Sequence, residues 1–389
     1  MATTTIAYFD CSATTPVDEA VLAAMLPYFA DVFGNASGAY SLGRRARGGL
    51  EAARAEVAAV LACRPAEVVF TSGGSESDNL ALRGAAHALR AAGRGDHLVT
   101  SAIEHPAILA TMRGLEAEGF AVTFVSVDAE GRVSPAAFLD AVRPDTALAS
   151  LMLANNEVGT LQPLAEIASA LRAQGIVVHT DAVQAAAYVD LSVDGLGVDL
   201  LSLSAHKFYG PKGAGALYVR DGTPISACQT GGSQEGSRRA GTENVAGAVG
   251  LARALSLAAA QRDAECARLA HLRERIKDAL AILPGVRLTG HPVERLPGHV
   301  SLCAAGVRAD VLLLGLDMRG IAASSGSACS NGKVSASHVL TAMGIGDEEA
   351  HGALRLSMGR CTSASDVDRL LDVLPGLIVR LQQAAAVAA

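Results

Sequence analysis

One lysine stands out as a residue that could do covalent chemistry. Lys207 lies in the segment Ser-Ala-His-Lys-Phe-Tyr-Gly-Pro-Lys-Gly (residues 204–213), after an apolar run and before a Gly/Pro-rich turn. A lysine amine forms a Schiff base with an aldehyde, and removal from water lowers its pKa toward neutrality. The alternative for a single lysine is a charged surface residue in a turn. Its position just past a predicted buried strand favours the chemical interpretation.

A carboxylate and an anion-binding turn follow other predicted strands. Asp181 ends the strand predicted at 176–180, where it could pair with a protonated ring nitrogen of a cofactor. The alternative for Asp181 is a helix N-cap. Residues 71–77, Thr-Ser-Gly-Gly-Ser-Glu-Ser, open a helix, so their N–H groups and hydroxyls could bind phosphate. They lack the Gly-Lys-Ser/Thr ending of a Walker loop, and a simple capping turn is the alternative.

Cys329 is the predicted nucleophile. It lies in Ser-Ser-Gly-Ser-Ala-Cys-Ser-Asn-Gly-Lys (residues 324–333), whose small polar residues and glycines predict an exposed, mobile loop. A reactive thiol needs access to solvent and a fraction of thiolate, and both are expected there. The other six cysteines are predicted mainly to be packing residues. Cys361, which follows Arg360, is a second candidate for the reactive thiol.

The elements that must position these residues follow an alternating pattern. Short apolar runs alternate with amphipathic helices such as 108–118 and 163–174. Several runs lack polar alternation, as expected of strands covered by helices on both faces. Repeated strand–helix units predict a largely parallel sheet with ligands beyond the carboxyl ends of its strands. An Ala/Leu/Arg-rich stretch at 243–283 predicts one or two long helices. The predicted strands are 68–71, 97–100, 122–125, 147–152, 176–179 and 200–203.

Composition restricts the class of protein. The chain has 389 residues, of which 50% are hydrophobic, and this length suits two globular domains. A net charge of −7 argues against direct binding to nucleic acid or membranes. The seven cysteines include no CxxC pair, which favours reduced thiols over disulfides or a zinc site. No signal peptide or membrane-spanning run is evident in the sequence, so we expect a cytoplasmic protein.

Together these segments resemble the cysteine desulfurases, which are aminotransferase-like (fold type I) pyridoxal 5'-phosphate enzymes. Matching runs extend from residues 9–16 to residues 354–360, and the short Ser-Ser-Gly-Ser-Ala-Cys loop is similar to that of group I. This branch serves nitrogen fixation and iron–sulfur cluster assembly. The resemblance implies an α/β fold with a large, mostly parallel seven-stranded sheet domain, residues 16–260. It also implies a smaller α+β domain, residues 1–15 plus 261–389, that carries the mobile Cys329 loop.

The resemblance also implies a role for each matching residue. Lys207 would hold the cofactor covalently, Cys329 would take up sulfur as a persulfide, and His105 would stack on the cofactor ring and move protons. Asn156 and Arg355 would bind the substrate carboxylate, Arg355 as a bidentate clamp. Without the resemblance, His105 would be a hydrogen-bonded core histidine and Arg355 a surface ion-pair partner. The other implied cofactor contacts are Asp181 at the pyridine nitrogen, Gln184 at the phenolate oxygen, Gly74, Ser75, Ser204 and His206 at the phosphate, and Thr242 at the phosphate of the other subunit of a homodimer.

The implied reaction converts L-cysteine to L-alanine and passes sulfur from Cys329 to a protein acceptor or scaffold. Iron–sulfur cluster assembly, transfer-RNA thiolation and DNA phosphorothioation all use such enzymes. A selenocysteine lyase or another β-eliminating lyase is the main alternative, ahead of an aminotransferase or a non-enzymatic cofactor-binding scaffold. Cys329 could be an iron–sulfur ligand only in a complex, because one thiol cannot complete a cluster site.

The sequence departs from the family pattern in three places. Ala36 and Tyr40 lie in a segment that is near the substrate entrance in the family, where Pro and His are usual. Residues 331–336 replace the usual continuation after the cysteine. Cys11 stands where Asn or Tyr is common. We expect the first two departures to affect substrate fit, loop mobility or the docking of an acceptor.

Overall fold

The computed structural model describes residues 6–326 and 336–388, so Cys329 lies outside the described residues. The strands fall into three sheets of seven, three and two strands. The strands are β1 (Ala7–Tyr8), β2 (Val68–Thr71), β3 (His97–Ser101), β4 (Ala121–Val125), β5 (Thr146–Ser150), β6 (Val177–Asp181), β7 (Leu200–Ser204), β8 (Gly215–Val219), β9 (Val286–Thr289), β10 (His299–Ala304), β11 (Ile321–Ala322) and β12 (Ala353–Ser357).

The large sheet has the strand order β2-β8-β7-β6-β5-β3-β4. Strand β8 is antiparallel to both of its neighbours, and every other neighbouring pair is parallel. The predicted large, mostly parallel, seven-stranded sheet is therefore confirmed. The six predicted strands correspond to β2 through β7, with ends displaced by at most a few residues. Strand β8 has no counterpart among the predicted runs.

Helices cover both faces of this sheet, which explains why its strands lack polar alternation. Successive residues of one strand belong to different hydrophobic clusters. Leu200 packs on one face with Leu98 and Val177, whereas Leu201 packs on the other with Val99. Because side chains alternate between the two faces of a strand, a sheet that is buried on both faces needs apolar residues at consecutive positions.

The helices of the described chain connect and cover these sheets. None of them combines the length and the apolar character needed to cross a membrane. The helices are α1 (Glu19–Met25), α2 (Pro27–Ala30), α3 (Ser41–Leu61), α4 (Gly74–Ala91), α5 (Pro106–Ala117), α6 (Pro135–Asp140), α7 (Leu164–Ala173), α8 (Val193–Leu196), α9 (Val245–Ala281), α10 (Ala309–Asp317), α11 (His338–Ala342), α12 (Asp347–Ala350) and α13 (Ala364–Ala388).

Helix α9 joins two hydrophobic cores. Leu251 and Leu255, in its first half, pack in the core of the large sheet. Leu272 and Ile276, in its second half, pack in a separate core with the three-stranded sheet β12-β10-β9 and helix α13. The stretch predicted as one or two long helices is thus one helix of 37 residues. The division into domains near residue 260 stays a prediction and falls within this helix.

Gly215 lies between the ends of two strands, β2 and β7. The possible phosphate-binding turn (residues 71–77) follows β2, and Lys207 follows β7. Gly215 is the first residue of β8 and pairs with Thr71 of β2 on one side and Ser204 of β7 on the other. A Cβ atom at Gly215 would lie 2.6 Å from the Cα of Gly73 and 2.7 Å from its N and C atoms. Only glycine lets the turn after β2 pack this closely on β8.

We predict that Gly215→Ala destabilises the fold, because the added methyl group meets backbone that must shift. The expected loss is about 1–3 kcal/mol of unfolding free energy, the usual range for overpacking. Gly48→Ala is the matched control. Gly48 lies inside α3 with no atom within 4 Å of its hypothetical Cβ, so alanine there should stabilise the helix by up to about 1 kcal/mol. Urea unfolding of the two variants measures both effects, and equal stability of the two would contradict the prediction.

Candidate active site

Most of the predicted site residues line one cavity. It has a volume of about 300 Å³ and lies beyond the carboxyl ends of β2, β6 and β7. This is the lower end of the size range of small-molecule sites. The predicted residues that line it are Gly74, Ser75, His105, Asn156, Asp181, Gln184, Ser204, His206, Lys207 and Arg355. Their assigned roles stay predictions, and the structure places them around one volume.

One end of the cavity is built to bind an anion. Helix α4 begins at Gly74, directly after the turn that follows β2, so its unpaired N–H groups face the cavity edge. A Cβ atom at Gly74 would lie 2.9 Å from Cγ2 of Val183 and 3.5 Å from Cβ of Ser204. No side chain fits there, and the backbone N–H stays accessible. The hydroxyl of Ser75 and the imidazole of His206 complete this end.

Lys207 lies in a short 3₁₀ turn, 205–207, that directly follows β7. Its Nζ donates hydrogen bonds to the carbonyl oxygens of Ser12 and Ala13, the latter at 2.9 Å. Burial, and then the nearby charge of Arg355, lowers the pKa of Lys207 to about 8. The free amine is therefore much more abundant near neutral pH than for an ordinary lysine, which suits Schiff-base chemistry.

Asp181 is the last residue of β6, and its side chain is almost fully buried. Its Oδ1 accepts a hydrogen bond from the N–H of Val183 at 2.9 Å. The residue thus closes a turn, and no helix starts there, so the N-cap alternative does not describe it. Burial raises the pKa of Asp181, whereas His105 and Lys207 oppose this rise through their charge. A cationic ring nitrogen in the cavity would compensate the buried carboxylate.

His105 precedes α5 and faces the same part of the cavity. Its Nδ1 accepts a hydrogen bond from the N–H of Ala107 at 3.1 Å. Burial lowers the pKa of His105, so the imidazole is mainly neutral at pH 7. One ligand atom each from Asp78, His105 and Asp181 lies within 4.8 Å of the other two. We interpret this group as the polar wall that faces a cofactor ring rather than as a metal centre.

Arg355 and Asn156 meet at the opposite side of the cavity. Arg355 belongs to β12, and its side chain is only 6% exposed, which excludes the surface ion pair considered for it. Its Nη1 donates to the carbonyl oxygen of Asn156 at 3.0 Å, and its Nη2 donates to Asp10 at 2.6 Å. The buried Nε has no hydrogen-bond partner among the described residues. The side chain of Asn155 accepts from the N–H groups of Glu157 and Val158 and so shapes the turn that carries Asn156.

Gln184 and Lys207 share one carbonyl group. Nε2 of Gln184 donates to the oxygen of Ser12 at 2.9 Å, and the same oxygen accepts from Nζ of Lys207. The segment after β1 therefore forms the floor of the cavity through its backbone. Its side-chain identities gave no indication of this role, because carbonyl oxygens are present at every residue.

Thr242 lies outside this cavity. It is exposed and lines a neighbouring cavity of about 230 Å³ together with Thr71 and Ser72. Two ion pairs hold its segment, one against helix α3 and one against the anion-binding turn. Glu235 has a buried side chain that pairs with Arg54 at 2.7 Å, and Arg239 pairs with Glu76 at 2.8 Å. Glu235 adopts φ of +48°, a strained conformation for a residue other than glycine, which these contacts maintain.

The sequence patterns missed three acidic residues of the site. Asp10 pairs with Arg355, and its only signal was its position in a family-like run. Asp78 lines the cavity, and its buried Oδ1 has no hydrogen-bond partner among the described residues. A charged residue on the otherwise apolar inner face of α4 was a signal that could have revealed it. Glu104, next to His105, is fully buried.

Glu104 provides a test of this buried electrostatic environment. Its Oε1 accepts hydrogen bonds from Oγ of Ser101 at 2.6 Å and from the N–H of Met152 at 2.9 Å, and its Oε2 has no partner among the described residues. Burial raises the pKa of Glu104 to about 8. The folded state therefore keeps a proton that the unfolded chain releases above about pH 4.5. Stability from this group is complete below pH 4.5 and is lost as the pH rises to 8.

We predict that Glu104→Gln removes this pH dependence, since glutamine stays neutral. The unfolding free energy of the variant minus that of the wild type should increase by about 2–4 kcal/mol when the pH rises from 5 to 8. Urea unfolding at both pH values measures the difference. The exposed Glu116→Gln serves as the control and should show no such gain. A gain that is the same at pH 5 and pH 8 would show that Glu104 does not titrate in this range.

Comparison with known proteins places the chain in a family. Residues 7–370 match the aminotransferase class-V family. Cysteine desulfurase IscS of Methanosarcina thermophila is 47% identical over 375 residues, which cover 96% of this chain and 92% of that protein. A NifS-like protein of known structure superposes with a TM-score of 0.88 at 35% identity, covering 98% of this chain and 100% of that one.

A further structure, SspA in complex with cysteine, superposes with a TM-score of 0.78 at 35% identity, covering 90% of this chain and 98% of that one. These matches extend over nearly the full length of each protein. They agree with the sheet topology and with the cavity at the carboxyl ends of its strands. The chain therefore belongs to the aminotransferase class-V family and, within it, to the cysteine desulfurases.

Proposed function

We propose that the protein is a pyridoxal-phosphate-dependent cysteine desulfurase that converts L-cysteine to L-alanine and carries the sulfur as a persulfide on Cys329. One observation carries this proposal. Lys207, Asp181 and Arg355 line one cavity, and the described residues that lead toward Cys329 pair with Arg355. The cavity thus combines an amine, an acid and a group that can bind a carboxylate, and the chain segment that leads to Cys329 is held next to it.

The residues present fit pyridoxal 5'-phosphate. The anion-binding end at Gly74 and Ser75 suits its phosphate, and the narrow gap at Gly74 admits no side chain in place of it. Asp181 is a buried carboxylate that a protonated pyridine nitrogen would neutralise, and Gln184, which lines the same cavity, would bind the phenolate oxygen. Lys207 would supply the amine that holds the aldehyde. When bound, this cofactor serves as an electron sink for the carbon atoms of an amino-acid substrate.

The protein groups supply binding and proton transfer. A substrate carboxylate would bind at Arg355 and Asn156, which line the same cavity. Lys207 has a pKa near 8, and His105 has a pKa below its ordinary value, so its imidazole is neutral at pH 7 and can accept a proton. These two groups would move the α-proton of the substrate.

The chain on either side of Cys329 is anchored beside the cavity. Ser324 and Arg355 form an isolated backbone bridge, in which the N–H of Arg355 donates to the oxygen of Ser324 at 2.6 Å. A Cβ atom at Gly326 would lie 3.2 Å from Oε2 of Glu157, and Ser337 donates a hydrogen bond to the same oxygen. Three peptide units join Gly326 to Cys329, which limits their Cα separation to about 11 Å. A tether of this length supports delivery of the thiol to the cavity.

The sulfur step conserves atoms and electrons. The thiolate of Cys329 attacks the sulfur of the substrate, an S–S bond forms and the substrate C–S bond breaks. The electron pair of that bond stays with the substrate carbon, which takes up one proton and becomes the methyl group of alanine. The oxidised sulfur leaves as the outer atom of the persulfide, for delivery to a protein acceptor or scaffold.

We expect Cys329→Ala to lower alanine formation from cysteine, in the presence of reductant, by about 100-fold or more, because the attacking group is removed. The absorbance of the bound cofactor should be kept. Cys228→Ala, at an exposed cysteine, is the matched control and should keep full activity. Mass spectrometry of cysteine-treated wild type should show one added sulfur on the peptide of Cys329.

A fully active Cys329→Ala protein would remove Cys329 from the mechanism. If that variant acts on selenocysteine but not cysteine, it still supports the thiol's role in desulfuration.

The proposal includes a homodimer in which Thr242 reaches the phosphate site of the other subunit. Its exposed position, outside the Lys207 cavity of its own chain, supports this arrangement. The ion pairs of Glu235 and Arg239 would then connect the segment that carries Thr242 to helix α3 and to the anion-binding turn of its own subunit. We also propose a cytoplasmic location, with no direct contact to nucleic acid.

Mixed dimers test the role of Thr242. We expect Thr242→Val to weaken cofactor binding about tenfold, through loss of a hydrogen bond to a charged group, and Lys207→Ala to be inactive. The two variants are unfolded and refolded together at limiting cofactor, so that half of the dimers contain one subunit of each kind. In such a mixed dimer one site is intact, because it has Lys207 from one subunit and Thr242 from the other. Activity should recover to about a quarter of the wild type, which exceeds that of either variant refolded alone. If Thr242 serves its own subunit, the mixture will show only the average of the two parents.

A further inference from the structure

Two cysteines that the proposed reaction does not use come together beside the cavity. Cys11 follows β1 and Cys361 follows β12, and Asp10, next to Cys11, forms a backbone bridge with Ser357, the last residue of β12. The N–H of Cys11 also donates to the oxygen of Ser357 at 3.1 Å. Residues 350 positions apart in the sequence are therefore brought to the same place by the pairing of these segments.

The turn that carries Cys361 is fixed against Cys11. Within it, the N–H of Thr362 donates to the oxygen of Gly359 at 2.9 Å. Arg268 donates to the carbonyl oxygens of both residues, at 2.9 Å for Gly359 and 2.7 Å for Thr362. A Cβ atom at Gly359 would lie only 2.8 Å from Sγ of Cys11. Sγ of Cys11 thus packs directly on the turn, close enough to the thiol of Cys361 for each group to influence the pKa of the other.

The two thiols differ in the way that a reactive and a resolving cysteine differ. Cys361 is exposed, whereas Cys11 is 5% exposed. The interaction with the Cys11 thiol lowers the pKa of Cys361 to about 7, and the same interaction together with burial raises the pKa of Cys11. Near neutral pH, Cys361 is therefore partly an accessible thiolate, with a protonated thiol next to it.

We propose that Cys361 and Cys11 form a second reactive thiol site, which a hydroperoxide oxidises to a disulfide. The thiolate of Cys361 attacks one peroxide oxygen, the O–O bond breaks, and a sulfenic acid and hydroxide form. The thiol of Cys11 then attacks the sulfur of Cys361, an S–S bond forms, and water leaves. The two thiols lose two electrons in total, and the peroxide takes them up.

This site is coupled to the floor of the cavity. Ser12 follows Cys11 directly, its N–H donates to Oγ of Ser357 at 2.9 Å, and its carbonyl oxygen holds Nζ of Lys207. A disulfide would draw Sγ of Cys11 to covalent distance from Sγ of Cys361. Such a displacement reaches the Lys207 amine through two covalently linked residues. Oxidation should therefore change the surroundings of whatever Lys207 binds.

Peptide mapping of Cys329→Ser protein, loaded with cofactor, tests the proposal without depending on desulfurase activity. After treatment with hydrogen peroxide and alkylation of the remaining thiols, the peptides of Cys11 and Cys361 should be joined, and dithiothreitol should separate them. The cofactor absorbance should shift with oxidation and return with dithiothreitol, and Cys361→Ser should abolish both effects. Cys361 oxidised to sulfinic acid beside an alkylated Cys11 would overturn the pairing. A disulfide with unchanged absorbance would overturn the coupling to the cavity.

Two substitutions of Cys11 test the interaction that activates Cys361. Both Cys11→Ser and Cys11→Ala prevent the disulfide, but serine keeps a hydrogen-bond donor and alanine does not. Iodoacetamide should alkylate Cys361 with a midpoint near pH 7 in the wild type and in Cys11→Ser. In Cys11→Ala the midpoint should rise, and alkylation at pH 7 should be about tenfold slower. Equal rates in the two variants would show that Cys11 does not activate Cys361.

Discussion

The close packing of strand β8 between β2 and β7 is the constraint on which the site depends. Gly215 pairs with Thr71 and Ser204 at once, so the turn that leads into α4 and the turn that carries Lys207 start side by side. Asp181 ends the next strand of the same sheet. An anion-binding turn, an amine and a carboxylate are thus positioned by strand register, which rigid backbone hydrogen bonds maintain. Loops alone could not hold three such groups within one cavity of about 300 Å³.

The cavity also concentrates ionisable groups that burial makes costly. Asp181, Asp78 and Glu104 are almost completely buried, and burial raises the pKa of each. Lys207 and His105 respond in the opposite direction, since burial disfavours their cations. Burial thus moves the pKa values of Glu104 and Lys207 to about 8, within the range where proton transfer is efficient, whereas it keeps the imidazole of His105 neutral. Functional sites commonly accept such a loss of stability in exchange for reactivity.

The sequence predicted the parts of this arrangement that depend on local pattern. Apolar runs located six of the seven strands, and the polar residues at their ends included Asp181 and Lys207. Strand β8 was missed because it begins with glycine and follows a Gly-rich turn. Asp78 was missed because Ser-Glu-Ser-Asp-Asn is typical of an exposed helix start, and only packing against β6 and β7 buries it. The Asp10–Arg355 pair joins residues 345 positions apart, which no local pattern indicates.

Helix α9 has a mechanical consequence for the molecule. Its 37 residues span about 55 Å as one continuous rod, with each half embedded in a different core. Hinge motion usually requires a few residues that can change their φ and ψ angles freely, and an uninterrupted helix offers none. A change in the angle between the two cores would have to bend this rod elastically. The helix therefore acts as a strut that keeps Arg355, on one core, at a set distance from Lys207, on the other.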